Sequence, residues 1–128
     1  MPNPRLKIFF DGGCQPNPGR MEAAVVARGV THTFRDLGHG TNNDAEWLAL
    51  IAALRVAQDL QVADFVLLGD AATVIHQANG TWKCRSSALR VHLAAFEALR
   101  GDDPVQIRKV ARSQNLAGIA LAKTKVRP

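Results

Sequence analysis

The stretch FFDGGCQPNPG, residues 9–19, decides how the chain is read. Two phenylalanines close the run RLKIFF (5–10), which reads as a buried strand. Asp11 follows at once, ahead of a segment so rich in Gly and Pro that it predicts a loop rather than more strand. A carboxylate placed there either starts a turn or belongs to a charged site assembled from distant segments. The rest of the chain must choose.

Outward from that stretch, EAAVVARGV (22–30) and THTFRDLG (31–38) predict two further strands, joined tightly over Gly29–Thr31 and left by a turn at Gly38–Gly40. DAEWLALIAALRVAQDL (44–60) has no Gly or Pro and is rich in Ala and Leu, which predicts a helix capped by Asn42, Asn43 or Asp44. ADFVLLG (63–69) is solidly apolar, as a strand covered on both faces must be. DAATVIHQANG (70–80) reads as a short helix stopped by Gly80. SSALRVHLAAFEALRG (86–101) predicts a helix with the apolar stripe Leu89, Leu93, Phe96 and Leu99, capped by Ser86 or Ser87 and ended by Gly101. PVQIRKVA (104–111) alternates like a strand, and NLAGIALAKTK (115–125) predicts a last helix with Gly118 inside it. The order βββαβααβα implies an α/β fold, a mixed five-stranded sheet with helices on both faces, in one domain over residues 1–128.

Composition narrows the function classes. With 47% hydrophobic and 21% charged residues, the chain is an ordinary globular one. From Arg100 onward seven basic residues (Arg100, Arg108, Lys109, Arg112, Lys123, Lys125 and Arg127) face two acidic ones, which accounts for the whole net charge of +5. That balance favours an anionic partner such as nucleic acid, or a plain solvated basic surface. Cys14 and Cys84 lack any Cys or His at ligand spacing, so a zinc site is not indicated and a reduced setting is. The longest apolar run, LALIAAL (48–54), is too short to span a bilayer, and the N-terminus lacks the apolar core of a signal peptide. A cytoplasmic monomer without membrane contact is expected.

Three carboxylates stand in unusual places. Asp11 and Asp70 end two apolar strands; if those strands are parallel neighbours, both emerge at the edge where open α/β sheets bind ligands. Glu46 shares a helix face with Ala49, Leu50 and Ala53, with no Lys or Arg within a turn. A carboxylate buried there needs a cation or a proton. Taken singly, Asp11 and Asp70 can be caps and Glu46 solvated. Taken together they suit a hard divalent ion such as Mg²⁺ or Mn²⁺.

FFDGGCQPNPG, then TNNDAEWLALIAAL, then LLGDAATVIHQANG resembles type 1 ribonuclease H in order and spacing, and the resemblance extends through WKCRS (82–86) and VARSQN (110–115). It implies the ribonuclease H-like fold and an enzyme that cuts the RNA strand of an RNA–DNA hybrid with two Mg²⁺ ions, Mn²⁺ being a substitute. Asp11, Glu46 and Asp70 match three of the family's catalytic, metal-binding carboxylates, with Asp11 bridging the ions. Gly12, Gly13, Cys14 and Asn17 match the loop that meets RNA 2′-hydroxyls. Thr41, Asn42 and Asn43 match a turn that touches the hybrid. Gln77 and Asn79 are weaker substrate candidates, and Trp82, Lys83 and Arg85 fit the part facing the DNA strand, with packing or solvation as the plain alternative. His39 and His76 are near the site without an expected catalytic part.

The resemblance breaks in the last helix. The family carries a fourth carboxylate there, in a pattern like N-x-x-A-D, and here the segment reads QNLAGIALA, with Gly118 standing at the missing position. No acidic residue follows Asp103. The reading is thus a metal-dependent endonuclease impaired by that loss, with a hybrid- or duplex-binding module of weak or no turnover as the alternative.

Overall fold

The computed structural model describes residues 5–126. Of the basic residues counted above, Arg127 lies outside them, as does the side chain of Lys125. The elements are β1 (Leu6–Cys14), β2 (Gly19–Ala27), β3 (Val30–Phe34), β4 (His39–Gly40), α1 (Asn42–Asp59), β5 (Phe65–Gly69), α2 (Ala72–Ala78), α3 (Ser87–Arg100), β6 (Gln106–Lys109), a 3₁₀ turn (Arg112–Gln114) and α4 (Leu116–Val126). The sheet runs β3-β2-β1-β5-β6, with β4 paired to β2. β1, β5 and β6 are mutually parallel, while β2 is antiparallel to β1, β3 and β4.

The expected order holds, with a sixth, two-residue strand in place of the simple exit turn at Gly38–Gly40. The first strand needs a larger correction. It does not stop at Phe10 but continues through Asp11 to Cys14, each residue paired with β2 as far as Cys14↔Met21. Only the β5 side ends early, at Phe9↔Leu68. The glycines therefore serve the strand rather than end it. A Cβ on Gly12 would overlap the Ala45 carbonyl and stand 2.9 Å from the Glu46 amide nitrogen, so α1 rests directly on the β1 backbone.

The β2–β3 hairpin turns at Arg28 and Gly29, with φ of 53° and 75°, a left-handed pair that matches the twist of the flanking strands. That two-residue turn shifts β2 and β3 towards the N-terminus of the expected spans. The α1 cap is Thr41, one residue before the expected Asn42, Asn43 or Asp44. Thr41 accepts from the Asp44 amide, while the Asp44 carboxylate accepts from the Thr41 amide, a reciprocal capping box. Ser86 caps α3 as expected, and Gly101 ends it at φ 64°.

Helices cover both faces. Ile8, Phe10, Val25 and Leu67 meet Trp47, Leu50, Leu54 and Phe96 in the larger core. On the opposite face Ala24 and Val26 meet Ala117 and Leu121 of α4. Of the predicted α3 stripe, Leu89 and Phe96 are buried and Leu93 and Leu99 only partly so. No helix among the described residues is long and apolar enough to cross a membrane.

Gly12→Ala should therefore cost roughly 1–3 kcal/mol or more, because the atom in its way is backbone and cannot swing aside. Thermal unfolding checks this; an unchanged midpoint would show that α1 does not rest on β1 as described.

Candidate active site

The parallel pairing of β1 with β5 sets the site. Two residues beyond the last pair, Phe9↔Leu68, Asp11 and Asp70 stand level at the same end of the sheet. Glu46 comes from the first turns of α1, brought there by the Gly12–Ala45 contact. One oxygen from each of the three carboxylates lies within 4.8 Å of the other two.

Glu46 is 7% exposed. Its Oε1 accepts from the Gly12 amide at 2.6 Å, and its Oε2 is buried with no hydrogen-bond partner. Burial, then the neighbouring Asp11 charge, pushes its carboxyl up from 4.5 to about 9. The group is thus held protonated at neutral pH beside Asp11 and Asp70, and no donor faces its Oε2. That donor set fits a hard divalent cation, which would displace the proton and take up the orphaned oxygen.

Asn115 was not among the residues singled out from the sequence. It is fully buried, and its Nδ2 donates to the Phe10 carbonyl at 3.0 Å and to Asp70 Oδ2 at 2.9 Å. Its Oδ1 accepts from the Ala117 amide, and its carbonyl accepts from Ile119, so it also caps α4. The signal in the sequence is an asparagine at a helix start, and it stands one residue before α4 and not within it. Arg112 was also missed; it lines both openings that flank Asp11 and Asp70.

One opening, of about 480 Å³, is walled by Gly12, Gly13, Cys14, Asn42 and Glu46. The Cys14 amide donates to Asn42 Oδ1 at 3.0 Å, and the Asn42 amide donates to Asn17 Oδ1 at 3.1 Å, so strand end, loop and helix start form one unit. Thr41, Asn42 and Asn43 are exposed, and Asn42 lines the opening. Burial opposes ionisation of Asp44, but hydrogen bonds from Thr41 and from His92 outweigh it and hold its carboxyl below its ordinary value.

The other opening, of about 310 Å³, is walled by Gly118, Ile119 and Leu121 of α4. A Cβ on Gly118 would stand 3.5 Å from Asp11 Oδ2, an ordinary contact, so a side chain there would start at the cluster. Counting N-x-x-A-D from Asn115 reaches Ile119 instead; neither residue carries a charge.

Not every sequence candidate joins this surface. Gln77 is buried, and its Oε1 accepts from the Trp47 indole at 3.3 Å. Asn79 donates to the Ile107 carbonyl, tying the end of α2 to β6. Trp82, Lys83 and Arg85 are exposed on the connection between α2 and α3. Trp82 stacks on His76 at 4.2 Å between centroids.

The fold has counterparts. The profile of a family described as reverse transcriptase-like matches residues 9–125. Ribonuclease HI of Halobacterium salinarum is 36% identical over 128 residues, covering 92% of this chain and 62% of that protein. The crystal structure of RNase H1 from the same archaeon is similar at a TM-score of 0.82, with 33% identity over 92% of this chain and 94% of that one. A crystal structure of LC11-RNase H1 in complex with an RNA/DNA hybrid matches at a TM-score of 0.78, with 26% identity over 91% and 93% of the two chains. The chain belongs to the ribonuclease HI family.

The raised Glu46 carboxyl gives a signed prediction. The unfolded chain releases this proton near 4.5 and the folded, metal-free protein only near 9, so stability is greatest below the lower value and falls as the pH rises through the higher one. Glu46→Gln should raise the melting temperature of metal-free protein at neutral pH and flatten that decline. Adding Mg²⁺ should stabilise the wild type more than the variant. Melting curves from pH 4 to 10 check both, and a variant as pH-sensitive as the wild type would contradict them.

Proposed function

We propose that this chain is a metal-dependent ribonuclease H that hydrolyses the RNA strand of RNA–DNA hybrids. The observation that carries the reading is the orphaned, buried Glu46 Oε2 within a cluster of three carboxylates. Family membership and the hybrid-bound LC11 relative support the choice of substrate.

Asp11, Glu46 and Asp70 would hold the ions, Mg²⁺ or Mn²⁺, since all three are hard oxygen donors. Two bound ions would supply activation of the attacking water and stabilisation of the leaving oxygen. The protein's own contribution is orientation. The Gly12 amide fixes one Glu46 oxygen, and the Asn115 amide fixes one Asp70 oxygen. The linked unit of Cys14, Asn17 and Asn42, with Gly12, Gly13, Thr41 and Asn43, forms the edge offered to the hybrid backbone. Trp82, Lys83 and Arg85, exposed on the separate α2–α3 connection, offer an indole and two cations that would meet the DNA strand. Arg112 sits beside Asp11 and Asp70, where a phosphate would enter.

A second reading rests on α4. No acidic residue follows Asp103, so the last helix adds no charge to the cluster whichever of Gly118 and Ile119 is aligned with the family's aspartate. A site with one carboxylate fewer binds cations more weakly, and a hybrid-binding module with little turnover follows from that.

The deciding assay incubates labelled RNA–DNA hybrid with the protein in Mg²⁺ or Mn²⁺, beside Asp11→Asn. The nuclease reading expects RNA-strand cleavage that the variant loses; no cleavage above the variant in either metal, with hybrid binding retained, would favour the binding module. Gly118→Asp and Ile119→Asp, made separately, should identify the position that faces the ions. One of them should raise divalent affinity by roughly tenfold in calorimetry. If neither does, α4 does not border the metal site.

A further inference from the structure

We propose that His92, on α3, is a positioning residue for the 41–43 turn, holding it through the Asp44 carboxylate in the shape that binds nucleic acid. The inference rests on the proposed role of that turn, but its structural half can be tested alone.

Asp44 is divided between two tasks. Its Oδ2 accepts from the Thr41 amide at 2.9 Å and from the Thr41 hydroxyl at 2.8 Å. Its Oδ1 lies 2.9 Å from His92 Nε2, and an ionised carboxylate can only accept, so the imidazole donates. The pair is largely shielded, each side chain 19% exposed.

The turn has two other braces. A Cβ on Gly40 would come within 2.8 Å of Met21 Sδ and 3.0 Å of Asp44 Oδ2, so Asp44 packs closely against the turn's entry. From the opposite side Asn17 accepts from the Asn42 amide. His92 is therefore the long-range partner that approaches from a separate helix, 48 residues along the chain.

Its own placement is firm. Leu89 and Phe96 flank it along α3 and are buried, and the Phe96 ring meets Trp47 of α1 edge-on at 6.2 Å. The imidazole also walls an apolar groove with Leu48, Ile51 and Ala95. Replacement by leucine keeps that apolar packing and removes only the donor. Replacement by glutamine keeps a donor.

Without the hydrogen bond, Asp44 Oδ1 must find water, and the carboxylate gains freedom to leave Thr41. The capping box then frays, and the turn samples shapes that do not match the hybrid. His92 contacts none of Asp11, Glu46 and Asp70, and Glu46 keeps its own hydrogen bond from the Gly12 amide, so the chemistry should hold. The signature of positioning is thus weaker hybrid binding at unchanged turnover.

His92→Leu and His92→Gln would be compared with wild type in full-length protein with Mg²⁺. His92→Leu should raise KM for the hybrid about five- to tenfold, as loss of one hydrogen bond to a charged group allows, with kcat within about twofold. His92→Gln should recover most of the loss. Amide exchange at Thr41 and Ala45 should quicken in the leucine variant and return in the glutamine one. Equal KM in all three proteins, or a glutamine variant as impaired as the leucine one, would overturn the proposal. If wild type neither binds nor cuts hybrid, the nuclease reading fails, and unchanged amide exchange in the leucine variant would then refute the brace by itself.

Discussion

Everything at this site follows from the contact between Gly12 and the first turn of α1. Only a residue without a side chain lets the helix backbone settle on the strand there. That approach carries Glu46 to the sheet end, and the Gly12 amide then receives one of its oxygens. Two elements of different type are locked at one point, and a buried carboxylate is fixed beside Asp11 in the same act. Burial and like charge raise its carboxyl together. Fold stability is set against the carboxylate charge at that residue, since the arrangement that strains the bare protein is one a cation would relieve.

The fold was largely legible because its signals are local and periodic. The apolar runs at 5–10 and 63–69, the Ala/Leu helix of 44–60 and the glycine stops all correspond to observed elements. β1 was misread at its end, where Gly and Pro are ordinarily turn residues. No local rule shows that DGGC stays paired to β2 while a helix lies across it, because that outcome depends on Ala45, 33 residues away. Likewise Thr41 took the cap from three equally plausible neighbours through a reciprocal bond with Asp44 that propensity does not rank.

The carboxylates could be named because acidic residues that directly follow apolar runs, or sit on a buried helix face, are costly and therefore informative. Asn115 could not be named in that way. Asparagine is common at helix starts, and its second task, reaching Phe10 and Asp70, exists only after strand, loop and helix have met. Gln77 failed for the converse reason. Its position after Asp70 suggested the surface, yet the helix turns it inward to the Trp47 indole. Polar residues are ambiguous in sequence because either water or a buried partner can satisfy them.

Asn115 has a further consequence for the centre as a whole. Among the described residues, the last helix approaches the cluster through an uncharged amide, which grips the β1 backbone and the Asp70 carboxylate together. An amide neither repels its acidic neighbours nor waits for an ion to hold it. The α4 wall is therefore joined to the strand end and to Asp70 without any cation. Evolution could change the charge that this helix brings to the cluster without loosening the helix, because the joint and the charge reside in different residues.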